Sequence, residues 1–284
     1  MSSLNAKQRS EGVLCASAGN HAQGLAQAAK LMGVKATIVM PVTTPEIKVA
    51  SVRARGAKVV LFGDTFNDAL SHALALEKQR NLHFIHPFDD PEIIAGQGTV
   101  AMEIVHQHSA KIDAVFVPVG GGGLIAGIAA YIKTVRPETQ VIGVEYEESA
   151  SLAAAMAAGR RVKLKQVGIF ADGIAVAQVG KHTWPLMKQY VDGVITVSSD
   201  EICAAVKDIF DDTRVIAEPA GAVSVAGMKK YVADKQCRGQ TLITISTGAN
   251  ANFDRLRYVT ERAEVGEQRE AILAVTIPER QGAF

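Results

Sequence analysis

The chain has 284 residues, 48% of them apolar, with 30 basic residues against 29 acidic ones. That is enough apolar material for one large or two modest cores, and a charge this near balance excludes nucleic acid or an anionic membrane surface as the main partner. Cys15, Cys203 and Cys237 lack metal-ligand spacing and read as reduced thiols; there is no signal-peptide pattern and no apolar run of about 18 residues, so small-molecule chemistry in the cytoplasm is expected.

Residues 2–11 are polar and helix-compatible, and 13–16 form a short apolar strand. The turn Ser17-Ala18-Gly19-Asn20-His21-Ala22-Gln23-Gly24 follows. Ser17 and Asn20 can both cap the next helix, whose Leu25, Ala28 and Met32 recur at helical spacing before Gly33 ends it. Asn20 is then either a plain cap or part of a small-residue turn that offers backbone N–H groups and one amide to a ligand. Strands at 36–40, 58–62 and 83–85 alternate with helices at 45–55 and 67–80, a pattern that predicts a parallel sheet with right-handed crossovers. Asp89-Asp90-Pro91 opens another helix, in which the small residues Ala95-Gly96-Gln97-Gly98-Thr99 are expected to break the packing.

A strand at 114–117 then runs into Val117-Pro118-Val119-Gly120-Gly121-Gly122-Gly123-Leu124 and an apolar helix start. Four glycines let main-chain N–H groups approach a ligand closely, and the helix start adds its positive dipole end, so the stretch reads as a phosphate cradle. Leu124-Ile125 stand where a nucleoside-triphosphate loop needs Lys then Ser or Thr. Gly121, Gly123 and Ala126 match the dinucleotide pattern, and Glu145, closing the strand at 141–144, has the spacing of a ribose-binding acid. A nicotinamide cofactor and another phosphate compound both remain open at this point.

Beyond residue 158 the chain turns basic and irregular, and 168–175 has little pattern. A helix at 184–190 and a strand at 193–197 precede a helix capped by Ser199 or Asp200. Glu218-Pro219-Ala220-Gly221-Ala222 opens a helix reaching 231, and a strand at 241–245 ends in Ser246-Thr247-Gly248-Ala249-Asn250. Three ligand-like turns, at Asn20, Gly120 and Thr247, thus each follow a predicted strand, and in open α/β sheets that edge binds ligands. Residues 257–269 are charged, and 271–278 read as a strand of a further unit in which the sequence stops. His83 and His86 lack a third ligand, His106 and His108 sit at a solvated helix end, Cys15 is a packed thiol, and no G-x-S-x-G elbow is present.

The four stretches around Asn20, Gly120, Glu218 and Thr247-Gly248-Ala249-Asn250 resemble, in that order, the fold-type II pyridoxal-phosphate enzymes, and among them the biosynthetic threonine dehydratases (threonine ammonia-lyases) over the whole chain. The resemblance implies an α/β fold of two open, mainly parallel sheets flanked by helices, similar to the tryptophan synthase β chain. It implies a smaller domain at 1–112 carrying the Asn20 turn, a larger one at 113–264 carrying the glycine loop, and at 265–284 the start of a truncated regulatory domain. Gly120, Gly121, Gly122, Gly123 and Leu124 would hold the pyridoxal 5'-phosphate phosphate group, Asn20 the pyridine 3'-oxygen, and Thr247 the pyridine nitrogen. Glu218 would lie behind the ring. Ser17, Ala18, Gly19 and His21 would frame the substrate carboxylate, with L-threonine preferred over L-serine. Similar serine racemases place a base where this chain has Ala18, which disfavours racemisation. They place an acidic cation ligand where it has Gly168, so no metal is expected.

In that family a lysine in a Ser-Phe-Lys motif carries the cofactor as a Schiff base, and by spacing it is expected just upstream of Met1. Lys7 does not match the motif. The resemblance therefore implies dehydration and deamination of L-threonine to 2-oxobutanoate and ammonia by an intact enzyme, a homo-oligomer and tetrameric when intact, with this chain inactive alone. An NAD-dependent dehydrogenase and a non-catalytic pyridoxal-phosphate or amino-acid-binding protein are the alternatives.

Overall fold

The computed structural model describes residues 1–251 and 253–271. The first sheet is built from α1 (Ala6–Glu11), β1 (Val13–Ala16), α2 (Asn20–Leu31), β2 (Ala36–Met40), α3 (Glu46–Ala54), β3 (Lys58–Leu61), α4 (Phe66–Arg80) and β4 (His83–Phe84). Its strands are all parallel in the order β3-β2-β1-β4. The second follows α5 (Pro91–Gln107) and comprises β5 (Ala114–Pro118), α6 (Gly123–Val135), β6 (Gln140–Tyr146), α7 (Ser151–Ala158), α8 (Thr183–Tyr190), β7 (Gly193–Val197), α9 (Ser199–Thr213), α10 (Pro219–Lys235) and β8 (Leu242–Thr244), with α11 (Leu256–Gly266) after it. Its order is β7-β6-β5-β8, again parallel.

Helices cover both faces of each sheet, which is why β1, β2 and β5 are buried throughout and read as continuous apolar runs. Along β5 the faces alternate: Phe116 joins one core with Val144 and Val223, while Val115 and Val117 join the other with Ile125 and Ile128. In both sheets the chain leaves its first strand to one side and later returns to the other. That reversal opens a crevice beyond the C-terminal ends of β1 and β5, where a doubly wound fold binds ligands.

Several local expectations change in the folded chain. The small residues of α5 do not break its packing. A Cβ on Gly127 would lie 2.3 Å from the Ile94 carbonyl oxygen and 2.7 Å from the Gly98 nitrogen, so the bare backbones are what lets α5 and α6 touch. Ile94 and Ala101 accordingly share a core with β5 and α6. The buried face of α2 is Ala22, Leu25, Ala26 and Ala29; Met32 is exposed. Asn20 does not cap α2, whose N-cap is Gly19 without a side-chain bond. Ser198 caps α9 through a capping box with Glu201, in place of Ser199 or Asp200. The charged stretch after residue 256 forms α11, which buries Val259 and Ala263. His108 is not solvated at its Nε2, which is buried without a partner among the described residues. The strand expected at 271–278 lies, but for Ala271, outside the described residues.

Candidate cofactor site

The glycine turn is held from behind by side chains that leave no room for a Cβ. One on Gly121 would lie 2.3 Å from the Phe88 ring, one on Gly122 2.6 Å from Met187, and one on Gly120 3.0 Å from the Ile174 backbone. Gly122 also needs glycine for its φ of 92°. The Gly121 carbonyl accepts from the Gly180 N–H at 3.0 Å and the Thr183 hydroxyl at 2.8 Å. In a trans peptide the Gly122 N–H points the opposite way. Among the described residues no backbone hydrogen bond uses the N–H groups of Gly120, Gly121 or Gly122. The start of α6 lacks a side-chain cap. Free N–H groups at an uncapped helix start form an anion site, and a phosphate fits them.

Phe88 is fixed by its neighbours. His86 Nδ1 accepts the N–H groups of Phe88 at 3.2 Å and Asp89 at 2.8 Å. The Asp89 carboxylate accepts from Lys181 and His182, each at 2.7 Å, and from Thr183 at 3.4 Å, at the start of α8. Burial alone would raise the Asp89 carboxyl, but these N–H groups hold it below the ordinary range.

The Asn20 turn reaches the second sheet through side-chain amides. Asn20 Nδ2 donates to the Thr247 carbonyl at 3.2 Å and lies 3.5 Å from Glu218 Oε1, while Asn20 Oδ1 accepts from Asn250 at 2.7 Å. Glu218 N–H donates to the Gly248 carbonyl at 3.0 Å, and burial raises its carboxyl, opposed by Lys48. Lys48 itself pairs with Asp172 at 3.3 Å. Because Phe116 pairs with Thr244 in parallel register, the Gly120 turn leaves the sheet edge beside the Thr247 turn. The three turns picked out in the sequence therefore converge on one cleft.

The substrate-side residues are placed differently. The Ser17 hydroxyl accepts from the Gly19 N–H at 3.3 Å, and Ala18 is half-buried. His21 Nε2 lies 3.2 Å from the Ile85 carbonyl; burial pushes the imidazole below its usual range, so it is neutral at pH 7 and donates there. Leu124, at the start of α6, packs against the core of the second sheet. Around Gly168 a Cβ would lie 2.4 Å from the Glu148 carboxylate.

The dinucleotide reading is overturned at Glu145. Its side chain has no exposure and accepts the N–H groups of Leu152 at 2.7 Å and Ala153 at 2.8 Å, so it caps α7 inside the protein and cannot meet a ribose. Burial pushes its carboxyl up to about 7 against those two bonds. Cys15 is buried, and its thiol is pushed up to about 12. Sequence reasoning missed Phe88 and Asp89, whose roles come from partners beyond residue 120. It quoted Gln23 and Asn250 without giving either a role.

Comparison with known proteins bears on the family and the fold. The chain is 56% identical over 287 residues to the L-threonine dehydratase biosynthetic IlvA of Burkholderia multivorans, a match covering all of this chain and 57% of that protein. It is 54% identical to the Escherichia coli protein of the same name, covering 55% of it. Its fold matches the processed form of threonine deaminase isoform 2 from Solanum lycopersicum with a TM-score of 0.90 and 47% identity, over 92% of this chain and 76% of that one. The chain spans about half the length of the curated relatives it matches. No helix among the described residues is long and apolar enough to cross a membrane. The family described as pyridoxal-phosphate dependent enzyme matches residues 1–248, and the chain belongs to it.

Proposed function

We propose that this chain is the cofactor- and substrate-binding part of an L-threonine dehydratase that yields 2-oxobutanoate and ammonia and accepts L-serine less well. The observation that carries the reading is the meeting of the Asn20, Gly120 and Thr247 turns in one cleft between the two sheets, in a chain more than half identical to proteins of that name. Bound pyridoxal phosphate supplies an electron sink for the carbon that loses its proton. The N–H groups of Gly120 to Leu124 bind its phosphate. The Asn20 amide donates to the 3'-oxygen, and the Thr247 hydroxyl meets the pyridine nitrogen without charging it. Ser17, Gly19 and His21 orient the substrate carboxylate. Ala18 offers only a methyl group, so that position supplies no proton carrier, and elimination is favoured over racemisation. We place the protein in the cytoplasm as a homo-oligomer.

No lysine of this sequence stands in the motif that anchors the cofactor, so the chain is expected to bind it without a covalent link. Titration of the purified chain with pyridoxal phosphate tests this. Saturable binding that borohydride does not trap, with no binding of NADH, supports the reading. Absence of pyridoxal-phosphate binding sinks it.

A further inference from the structure

A chain of side-chain hydrogen bonds runs from α3 to the cleft, and its direction is fixed at the Thr247 end. The Arg55 guanidinium donates to the Ser51 carbonyl at 2.6 Å and to the Ser51 hydroxyl at 2.7 Å. The Ser51 hydroxyl donates to Gln23 Oε1 at 3.2 Å, and Gln23 Nε2 donates to Asn250 Oδ1 at 3.2 Å. Asn250 Nδ2 donates to Asn20 Oδ1 at 2.7 Å, and Asn20 Nδ2 donates to the Thr247 carbonyl at 3.2 Å. Each side-chain amide can turn over and exchange its donor and acceptor ends, so its orientation is decided by its neighbours. A guanidinium only donates, and a backbone carbonyl only accepts. The Thr247 carbonyl must meet the Asn20 NH2, and from there back to Gln23 each amide has one arrangement that leaves no acceptor facing an acceptor and no donor facing a donor.

We infer that Arg55, Ser51, Gln23 and Asn250 are positioning residues that turn the Asn20 amide so that its NH2 group, and not its oxygen, faces the cofactor's 3'-oxygen. The inference rests on the proposed cofactor site and adds a specific orientation to it. Gln23, Ser51 and Arg55 belong to the first sheet's layer and Asn250 to the second's, so the orientation is set only while the two layers are in contact.

Two isosteric substitutions reverse the direction. Gln23→Glu offers only acceptors, so Asn250 must turn its NH2 toward residue 23 and its oxygen toward Asn20. Asn20 then turns its own NH2 toward Asn250 and away from the cleft, giving up its bond to the Thr247 carbonyl. A charged carboxylate faced by an oxygen costs more than that neutral carbonyl faced by one. Asn250→Asp forces the same reversal one step nearer. Dissociation constants for pyridoxal phosphate and for 3-deoxypyridoxal phosphate, which lacks the 3'-oxygen, are measured by absorbance titration for the chain and both variants. The expected result is an about tenfold weaker affinity for pyridoxal phosphate in each variant, the loss of roughly one hydrogen bond, with the deoxy analogue within about twofold of wild type. The Gln23→Glu loss should shrink relative to wild type as the pH falls through the carboxylate range, because a protonated Glu donates again. Equal weakening for both ligands, or none, overturns the relay while leaving the cofactor site standing. A wild-type chain that binds neither ligand overturns the cofactor site itself, and the relay with it.

Discussion

The glycine turn after β5 and the Asn20 turn after β1 face the same cleft, yet they are held in opposite ways. Phe88, Met187 and Ile174 crowd the glycine turn so closely that no side chain fits at Gly120, Gly121 or Gly122. The Asn20 turn has nothing within 4 Å of a Cβ on Gly19, and Asn20 is exposed with its amide set by other amides. One half of the site is positioned by packing, which tolerates almost no change. The other is positioned by polarity, which can be reversed without moving an atom far.

The sharpest way to break the packed half is at the α5–α6 contact behind it. Gly127→Val places carbon against the Ile94 carbonyl and the Gly98 backbone, and should lower unfolding stability by about 3 kcal/mol in denaturant melts. Gly121→Ala should cost about 2 kcal/mol and abolish detectable pyridoxal-phosphate binding, because the new methyl meets the Phe88 ring. Adding Phe88→Ala should return part of that stability, and a double-mutant cycle measures how much. If the two substitutions are additive, Phe88 is not what crowds the turn.

Glu145, also in the packed half, gives a pH signature. Its folded carboxyl, raised to about 7, holds a proton that the unfolded chain releases near its ordinary value of 4.5. Its contribution is therefore complete below about pH 4.5 and lost as the pH rises through about 7. Glu145→Gln should flatten that fall, by about 3 kcal/mol between the two limits, in melts across the range. A wild-type pH profile matching the Gln variant would show that the carboxyl is not shifted.

The smallest effect on folding is expected in the polar half. Asn20→Ala should change stability by less than about 0.5 kcal/mol, as an exposed position does, and still weaken pyridoxal-phosphate affinity about tenfold. A melt that moves as much as the affinity would erase the contrast between the two turns.

That contrast also marks what could be read in the chain. β2 and β7 were legible to the residue, because each is a short run rich in β-branched and apolar residues between turn residues, buried throughout in β2 and mostly half-buried in β7. The three turns were legible as ligand sites because the chemistry of their residues is local. Asn20 was ambiguous because cap preference describes neighbours in sequence, whereas its partners Thr247 and Asn250 lie 227 and 230 residues away. Glu145 misled for the same reason in reverse: its spacing from the glycines suits a ribose, but the N–H groups that use it are seven and eight residues further on. Gly98 looked like a weak point until Gly127 supplied a second backbone to fit against.

Among the described residues, all four strands of the first sheet precede Ile85 and all four of the second follow Asp113, so the main chain passes between the sheets once. That passage ends at Phe88 and Asp89, clamped beside the cradle. Elsewhere among the described residues the two layers are joined only by noncovalent contacts such as Asn20 to Thr247 and Lys48 to Asp172. The glycine turn is packed against that connection through Phe88, whereas the Asn20 turn meets the second sheet through the side-chain amides of Asn20, Gln23 and Asn250.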